Sequence, residues 1–379
     1  MTPLGVRGMK YYIIAGEASG DLHGSNLIKQ IHLLDTKADI RCWGGDLMEA
    51  AGATLVKHYK ELAFMGFIEV VVNLRTIFKN LSFCKKDILA FQPDVLVLID
   101  YPGFNLRIAK WAKQQGIKVV YYISPQVWAW KENRVPEMKK NIDKMLVILP
   151  FEKEYYATRW NWDVEYVGHP LIEVIPPPDP SKGDGPIPYS WGGGTVVLMP
   201  GSRKQEILKK LPIMLEVSKR FEALQFVVAK APGQDDAFYE TLLRDYKNVS
   251  SARNATYNLL RNADAALVTS GTATLETALF KVPEVVCYKG SNISYQIAKR
   301  LIKVKYISLV NLIMDKLVVK ELIQNELTVE NLVRELHALL YNGANLENIL
   351  KDYDALREKL TAGGFASANA AKIIVDFIS

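Results

Sequence analysis

Cysteine is scarce here: three residues among 379, Cys42, Cys84 and Cys287. They are odd in number and far apart, with no C-x-x-C spacing. That fits free thiols in a reducing cytosol better than a disulfide framework or a zinc site. Long apolar runs are missing too. No stretch reaches 18 apolar residues, so no spanning helix is predicted. The opening MTPLGVRG lacks the apolar core of a signal peptide, and residues 1–8 read as an extension without a structural role. Nor is there an excess of one charge. Lys plus Arg is 47 against 41 Asp plus Glu, a net +6, with 22 basic and 19 acidic residues up to position 175 and 25 and 22 beyond it. This is too mild for nucleic acid, while a pI near 8.9 suits an acidic ligand or an anionic membrane surface. His23, His32, His58, His169 and His337 show no H-x-x-x-H spacing, and no G-x-S-x-G elbow, G-x-G-x-x-G or P-loop lysine is present. A zinc hydrolase, an α/β-hydrolase and a nicotinamide dehydrogenase are thereby disfavoured.

What is present is a globular composition, 49% hydrophobic and 23% charged, enough for large cores. Short apolar runs alternate with helical patterns. The predicted strands are Tyr11–Ala15, Ile40–Trp43, Val95–Ile99, Val119–Ile123, Leu146–Leu149 and Val164–Val167. Six of the 17 prolines then crowd into PPPDPSKGDGPIP, which is linker chemistry. The pattern restarts with Val196–Met199, Phe226–Ala229, Val249–Ser251, Ala266–Val268, Val285–Tyr288 and Ile307–Val310, and helix dominates from Thr328. Runs such as VLVLI are apolar throughout, as strands of parallel sheets buried on both faces are. The expected class is α/β. Two doubly wound Rossmann-like domains, 1–175 and 193–345, face each other across a cleft, joined by a linker at 176–192 and followed by helices at 346–379. The glycines of AGGFASANAAKIIVDFIS would let the last helix cross to the other domain or to a partner chain, and a homodimer stays open.

Ligands of such sheets sit beyond the carboxyl ends of the strands, so the residues after each strand are the candidates. Gly16, Glu17, Ser19, Gly20 and Asp21 join strand one to a helix start, where anions are favoured; a plain turn with Ser19 or Asp21 as cap explains them equally well. Asp100 ends VLVLID and is placed to take a proton from a bound hydroxyl, unless it only caps a helix. Gly201, Ser202 and Arg203 open the second half with amides and a guanidinium suited to phosphate. A cation sits poorly at the positive end of a helix, so an Arg there suggests an anion opposite it. Ser270, Gly271, Thr272 and Thr274 form another small-residue helix start, with Glu276 one turn in, where it can hold a ribose; a capping box is the alternative. Residues 64–81 form an amphipathic helical pattern in which Met65, Phe67, Ile68 and Val72 are apolar and Arg75 is basic; it suits acyl chains or anionic lipid, or else a core. Asp352-Tyr353-Asp354 spells the D-x-D of metal-dependent sugar transferases. In a helical pattern its two carboxylates diverge, so no metal site is expected.

The strings AGEASGDLHG, IDYPGFN, SPQVWAWKENRV, ILPFE, YVGHPL, PGSRKQEI, SGTATLE and LVNLIM occur in this order over both halves. With them the sequence resembles the lipid-A-disaccharide synthases, inverting glycosyltransferases of the GT-B fold. The resemblance implies transfer of 2,3-diacylglucosamine from UDP-2,3-diacylglucosamine to the 6-hydroxyl of 2,3-diacylglucosamine 1-phosphate (lipid X). The products are the β(1→6) disaccharide of lipid A and UDP. It implies no metal and no cofactor, Asp100 as general base, Arg203 on the diphosphate, Glu276 on the ribose and Asn311 assisting the donor. It also makes 64–81 the lipid-facing part of a cytoplasmic protein peripheral to the inner face of the cytoplasmic membrane. One departure is Tyr101-Pro102-Gly103-Phe104 where the family often has Ala-Pro-Asp-Phe, which leaves Asp100 the sole acid of its loop; another is the length of the Pro-rich linker. A UDP-N-acetylglucosamine epimerase of the same fold and a non-catalytic lipid- or nucleotide-binding scaffold are the competing readings.

Overall fold

A computed structural model describes residues 8–62, 74–177, 194–231, 233–290 and 305–379. Met65, Phe67, Ile68 and Val72 lie outside the described residues, as do the first seven residues and most of the Pro-rich stretch. The chain forms two units, residues 1–173 with 360–379 and residues 174–359.

The first unit carries a seven-stranded sheet. Its strands are β1 (Lys10–Ala15), β2 (Asp39–Gly44), β3 (Thr54–His58), β4 (Val95–Ile99), β5 (Lys118–Tyr122), β6 (Lys144–Val147) and β7 (Glu165–Tyr166), in the order β3-β2-β1-β4-β5-β6-β7. Every pairing is parallel. Parallel neighbours need a crossover, and the helices that supply it cover both faces. Alternation along β1 shows this: Tyr12 and Ile14 enter one core with Leu96, Leu98 and Tyr121. Tyr11, Ile13 and Ala15 enter the other with Val95, Val97 and Ile99. The helix Ala366–Ile378 belongs to that second core through Ala366, Ala370, Ala371 and Ile374. It is fastened by the Ser367 amide and hydroxyl, which donate to the Glu173 carboxylate at 2.7 and 2.6 Å. So the last helix packs on the first unit.

The second unit has six strands, β8 (Thr195–Met199), β9 (Gln225–Lys230), β10 (Val249–Arg253), β11 (Ala265–Thr269), β12 (Glu284–Tyr288) and β13 (Lys320–Ile323), in the order β10-β9-β8-β11-β12-β13. These pairings too are parallel. In both sheets the strand order reverses once, between β1 and β4 and between β8 and β11. Those are the switch points where such folds bind ligands.

Two strands escaped the sequence reading and one prediction fails. β3 is half-exposed and β13 is the short edge strand KELI, so neither has an apolar run. The predicted strand Ile307–Val310 is instead the start of a helix, Leu309–Met314. Ser308 caps it, its hydroxyl accepting from the Asn311 amide at 3.2 Å, and a helix start so capped overrides the β-propensity of Ile307 and Val310.

Candidate active site

At the first switch point the chain after β4 is held in an uncommon conformation. Asp100 and Tyr101 both have positive φ, 43° and 48°, and Ile123 at the end of the neighbouring β5 has φ 67°. Left-handed backbone at three non-glycine residues stores about 1–3 kcal/mol each and persists only where the surroundings enforce it. Those surroundings are on hand. Pro102 starts the helix Pro102–Gln114, where its missing N–H is harmless. Asn105, fully buried, donates its amide hydrogens to the Ile99 and Asp100 carbonyls at 3.1 and 2.8 Å. The Tyr121 hydroxyl donates to the same Asp100 carbonyl at 2.5 Å. The turn carries Tyr101 against Gly16, where a Cβ would lie 2.3 Å from the ring, so the first loop needs glycine there.

This arrangement leaves Asp100 largely desolvated. Burial, reinforced by the Glu17 carboxylate, pushes its carboxyl up to about 6, against the opposing hydrogen bond from the Tyr101 amide. Burial disfavours the charged form and a like charge adds to it. Asp100 is thus ionised at neutral pH yet a far stronger base than a solvated aspartate. The IDYPGFN loop contains one acid, but the fold brings a second carboxylate, Glu17, from the loop after β1.

The rest of the first loop divides. Ser19 is exposed and Gly20 buried, a Cβ there meeting Ala15 at 3.0 Å. Asp21 is a structural residue: its carboxylate, 3% exposed, accepts from the amides of Gly45, Leu47 and Met48 at 2.8, 3.2 and 3.0 Å. It caps the helix Asp46–Ala50, not its own. His23 and His169 sit deep in this unit, and burial holds them neutral, His23 down at about 4 and His169 at about 3. One residue here went unnoticed in the sequence. Glu152 of ILPFE is fully buried and accepts from Trp128 Nε1 at 3.1 Å and from the Ile148 and Leu149 amides at 3.2 and 3.0 Å. It ties the SPQVW loop to the next strand end, and burial raises its carboxyl to about 7.

At the second switch point two turns meet. Gly201 has φ 114° and a Cβ on it would lie 2.7 Å from Glu206 Oε2, so the turn after β8 requires glycine. Ser202 and Arg203 are exposed, and Arg203 pairs among the described residues with Glu206, at 3.6 Å, across a half-exposed pair. The turn after β11 contains Gly271 at φ 143° and the exposed Thr272. Ser270 and Thr274 do not line it as expected: their hydroxyls donate to the Ile307 and Gly271 carbonyls, both at 2.9 Å, which fixes the turn's shape. Glu276 accepts from the Tyr257 hydroxyl at 3.1 Å through one oxygen, and burial raises its pKa. Between the turns lies Lys210, which the sequence reading passed over as one charge of a helix. Its side chain is 4% exposed, its ammonium contacts the Thr269 hydroxyl at the tip of β11, and Glu206 Oε2 is 3.9 Å away.

Asn311 proves to be structural rather than ligand-facing. Its carboxamide donates to the Val319 carbonyl and Glu321 Oε1, both at 2.9 Å, and accepts from the Val318 and Val319 amides at 2.8 and 3.0 Å. All its capacity is used in a fully buried site, so it shapes the segment behind Ser270. Replacing Asn311 by Ala strands several buried partners, each costing about 1–3 kcal/mol unless water reaches it. Denaturant unfolding should show a loss of about 2 kcal/mol or more, with nucleotide affinity of the folded fraction preserved. The D-x-D pair is engaged elsewhere: Asp352 binds Lys316 at 2.7 Å, Asp354 binds Lys281 at 2.6 Å, and Tyr353 is buried between them. Among the described residues no three His, Cys, Asp or Glu gather as for a metal, and no helix is long and apolar enough to cross a membrane. Of the amphipathic segment, Arg75 lies on the helix Leu74–Phe91; Leu81 turns into the core, whereas Phe78 is 65% exposed beside Arg75 and Lys79.

Residues 11–376 match the protein family described as lipid-A-disaccharide synthetase. The chain belongs to the lipid-A-disaccharide synthase family. It is 39% identical over 373 residues to the lipid-A-disaccharide synthase of Geobacter metallireducens, covering 97% of this chain and 96% of that one. Identity to the enzyme so named from Coxiella burnetii is 36% over 375 residues, with 97% and 98% covered. Among solved structures, the glycosyltransferase of kitacinnamycin aligns at TM-score 0.65 and 15% identity over 99% of this chain and all of that one. The UDP-GlcNAc 2-epimerase from Neisseria meningitidis aligns at TM-score 0.66 and 13% identity over 98% and 99%. At such identities the likeness concerns the fold, which is GT-B. Family membership makes the protein a glycosyltransferase of lipid A synthesis.

Proposed function

We propose that the protein moves 2,3-diacylglucosamine from UDP-2,3-diacylglucosamine to the 6-hydroxyl of 2,3-diacylglucosamine 1-phosphate in one inverting displacement. The observation that carries this reading is Asp100, a carboxylate at a sheet switch point whose pKa is raised toward neutrality. The first unit supplies the base. As the acceptor oxygen forms its bond to the anomeric carbon, Asp100 takes the hydroxyl proton. The bond from that carbon to the diphosphate breaks, and its electron pair leaves with UDP. The second unit answers the leaving charge with Arg203 and the amides at the openings of its helices, donors fixed before reaction. Glu276 keeps one oxygen for the ribose hydroxyls. Preorganised donors of this kind can carry the leaving-group charge without a metal ion. Arg75, Lys79 and the exposed Phe78 offer a basic, apolar surface suited to the cytoplasmic face of the inner membrane.

UDP release is the direct test. With both substrates and a chelator present, UDP and disaccharide should form in equal amounts. With UDP-2,3-diacylglucosamine alone, UDP should stay near background. Turnover abolished by the chelator would remove the metal-free mechanism. Conversion of UDP-N-acetylglucosamine alone into an isomer would replace the reading with an epimerase.

A further inference from the structure

Beside the Asp100 turn the first unit has a cavity of about 430 Å³. It begins at Pro102 and Gly103, the residues that follow Tyr101, and runs between the helix Pro102–Gln114 and the segment Asn133–Ile142. Its floor is apolar, made by Leu106, Ala109, Met138 and Ile142, while Arg107, Lys110 and Arg134 stand on its walls with one acid, Glu137. Lys110 is neutralised by Glu137 at 2.7 Å. Arg107 donates to the Gly103 carbonyl at 2.8 Å, and no described carboxylate pairs with it. No described carboxylate pairs with Arg134. Arg134 also lies near the catalytic turn: its charge acts on the Tyr121 hydroxyl, the group that donates to the Asp100 carbonyl. A half-buried guanidinium with no counter-ion among the described residues, over an apolar floor, is an unfavourable arrangement unless an anion completes it.

We propose that this groove holds the phosphate-bearing end of the sugar acceptor, with Arg134 as its principal phosphate ligand and Arg107 as a supporting charge. The inference rests on the transferase reading above and adds to it the element that selects a phosphorylated acceptor. The phosphate on C1 and the 6-hydroxyl on the arm of C5 are separate substituents on the two carbons that flank the ring oxygen. A ligand anchored in the groove by its phosphate can therefore turn its hydroxyl toward the Asp100 turn. The apolar floor suits an acylated sugar better than free phosphate.

The test compares 2,3-diacylglucosamine 1-phosphate with dephosphorylated 2,3-diacylglucosamine as acceptors, using UDP release from UDP-2,3-diacylglucosamine. The wild type should prefer the phosphorylated acceptor in kcat/KM. Arg134→Met should lower that preference about tenfold or more, the range of a charged hydrogen-bonded pair, mainly through KM. Arg134→Lys should restore part of it, and calorimetric UDP affinity should not change. Arg107→Glu, on an exposed residue, should shrink the preference several-fold and serves if Arg134→Met fails to fold. A preference left intact in the Arg134→Met and Arg107→Glu proteins overturns the proposal, as does weakened UDP binding with the preference unchanged, which would assign the groove to the donor. Failure of the transferase reading looks different, because the wild type would then release no UDP with either acceptor.

Discussion

Asp100→Asn should lower kcat by about 10²–10⁴, the usual contribution of a general base, while calorimetry with UDP shows unchanged affinity. The substitution keeps the size and hydrogen-bonding shape of the side chain, so the turn built by Pro102, Asn105 and Tyr121 survives it. What goes is the negative charge, and with it the basicity needed to take the proton. The same group sets a pH dependence. With Asp100 at about 6, kcat/KM should fall as pH drops through that value, and the limb should vanish from the residual activity of Asp100→Asn. Stability should move the opposite way. A carboxyl raised from 3.8 to about 6 on folding stabilises the folded state fully below the unfolded value. That contribution is lost as pH rises through about 6. The difference is roughly 3 kcal/mol across two pKa units. Asp100→Asn should therefore unfold at a higher temperature than wild type at pH 8, and the gap should close near pH 4. A variant with near-normal kcat would remove Asp100 from the role of base, and no gain in Tm at pH 8 would remove its raised pKa.

The parts of this site that were legible in the sequence are those set by local chemistry. VLVLID, TVVLMPGSR and AALVTSGT each join an apolar buried strand to a small-residue turn, and that signal names both the strand end and the candidates on it. Thus Asp100, Arg203 and Glu276 were found where the sheets reverse order. Long-range placement was not legible. Nothing in the spacing of residues 17 and 100 says that Glu17 raises the Asp100 carboxyl, because that follows from β1 pairing with β4. The pattern of the helix Lys204–Ser218 likewise marks Lys210 only as one of several charges; its burial depends on where β11 ends. The failures have the same origin. Asn311 sits inside a matching motif, and only the loop Val318–Val319 folding back on it shows that its amide is consumed internally. Ile307–Val310 reads as a strand by composition, and a single capping hydroxyl on Ser308 makes it a helix start. The edge strands β3 and β13 were missed because they lack the apolar run that buried neighbours impose.

Arg203→Ala should weaken UDP binding by about 10- to 100-fold, since a guanidinium–phosphate hydrogen bond contributes about 1.5–3 kcal/mol. The fold should be indifferent to the change. Arg203 is 58% exposed, and its contact with Glu206 is long and solvated, the kind of pair that contributes little to stability. Lys210 makes the opposite case. It lies between the turns that end β8 and β11, buried against Thr269, and desolvation lowers its pKa. Lys210→Met keeps the volume and removes the charge. It should leave stability unchanged or slightly higher, because a buried ammonium is expensive to desolvate. UDP affinity should nevertheless fall, by less than for Arg203→Ala, because the diphosphate loses a nearby positive charge rather than a direct ligand. The two residues also separate in salt. Added salt should weaken UDP binding in wild type, and Arg203→Ala should flatten that dependence more than Lys210→Met, since an exposed guanidinium is screened and a buried ammonium much less so. Unchanged UDP affinity in Arg203→Ala would place the diphosphate elsewhere. Equal effects of both variants on affinity and salt dependence would mean that Arg203 acts through the shape of the turn and not through its charge.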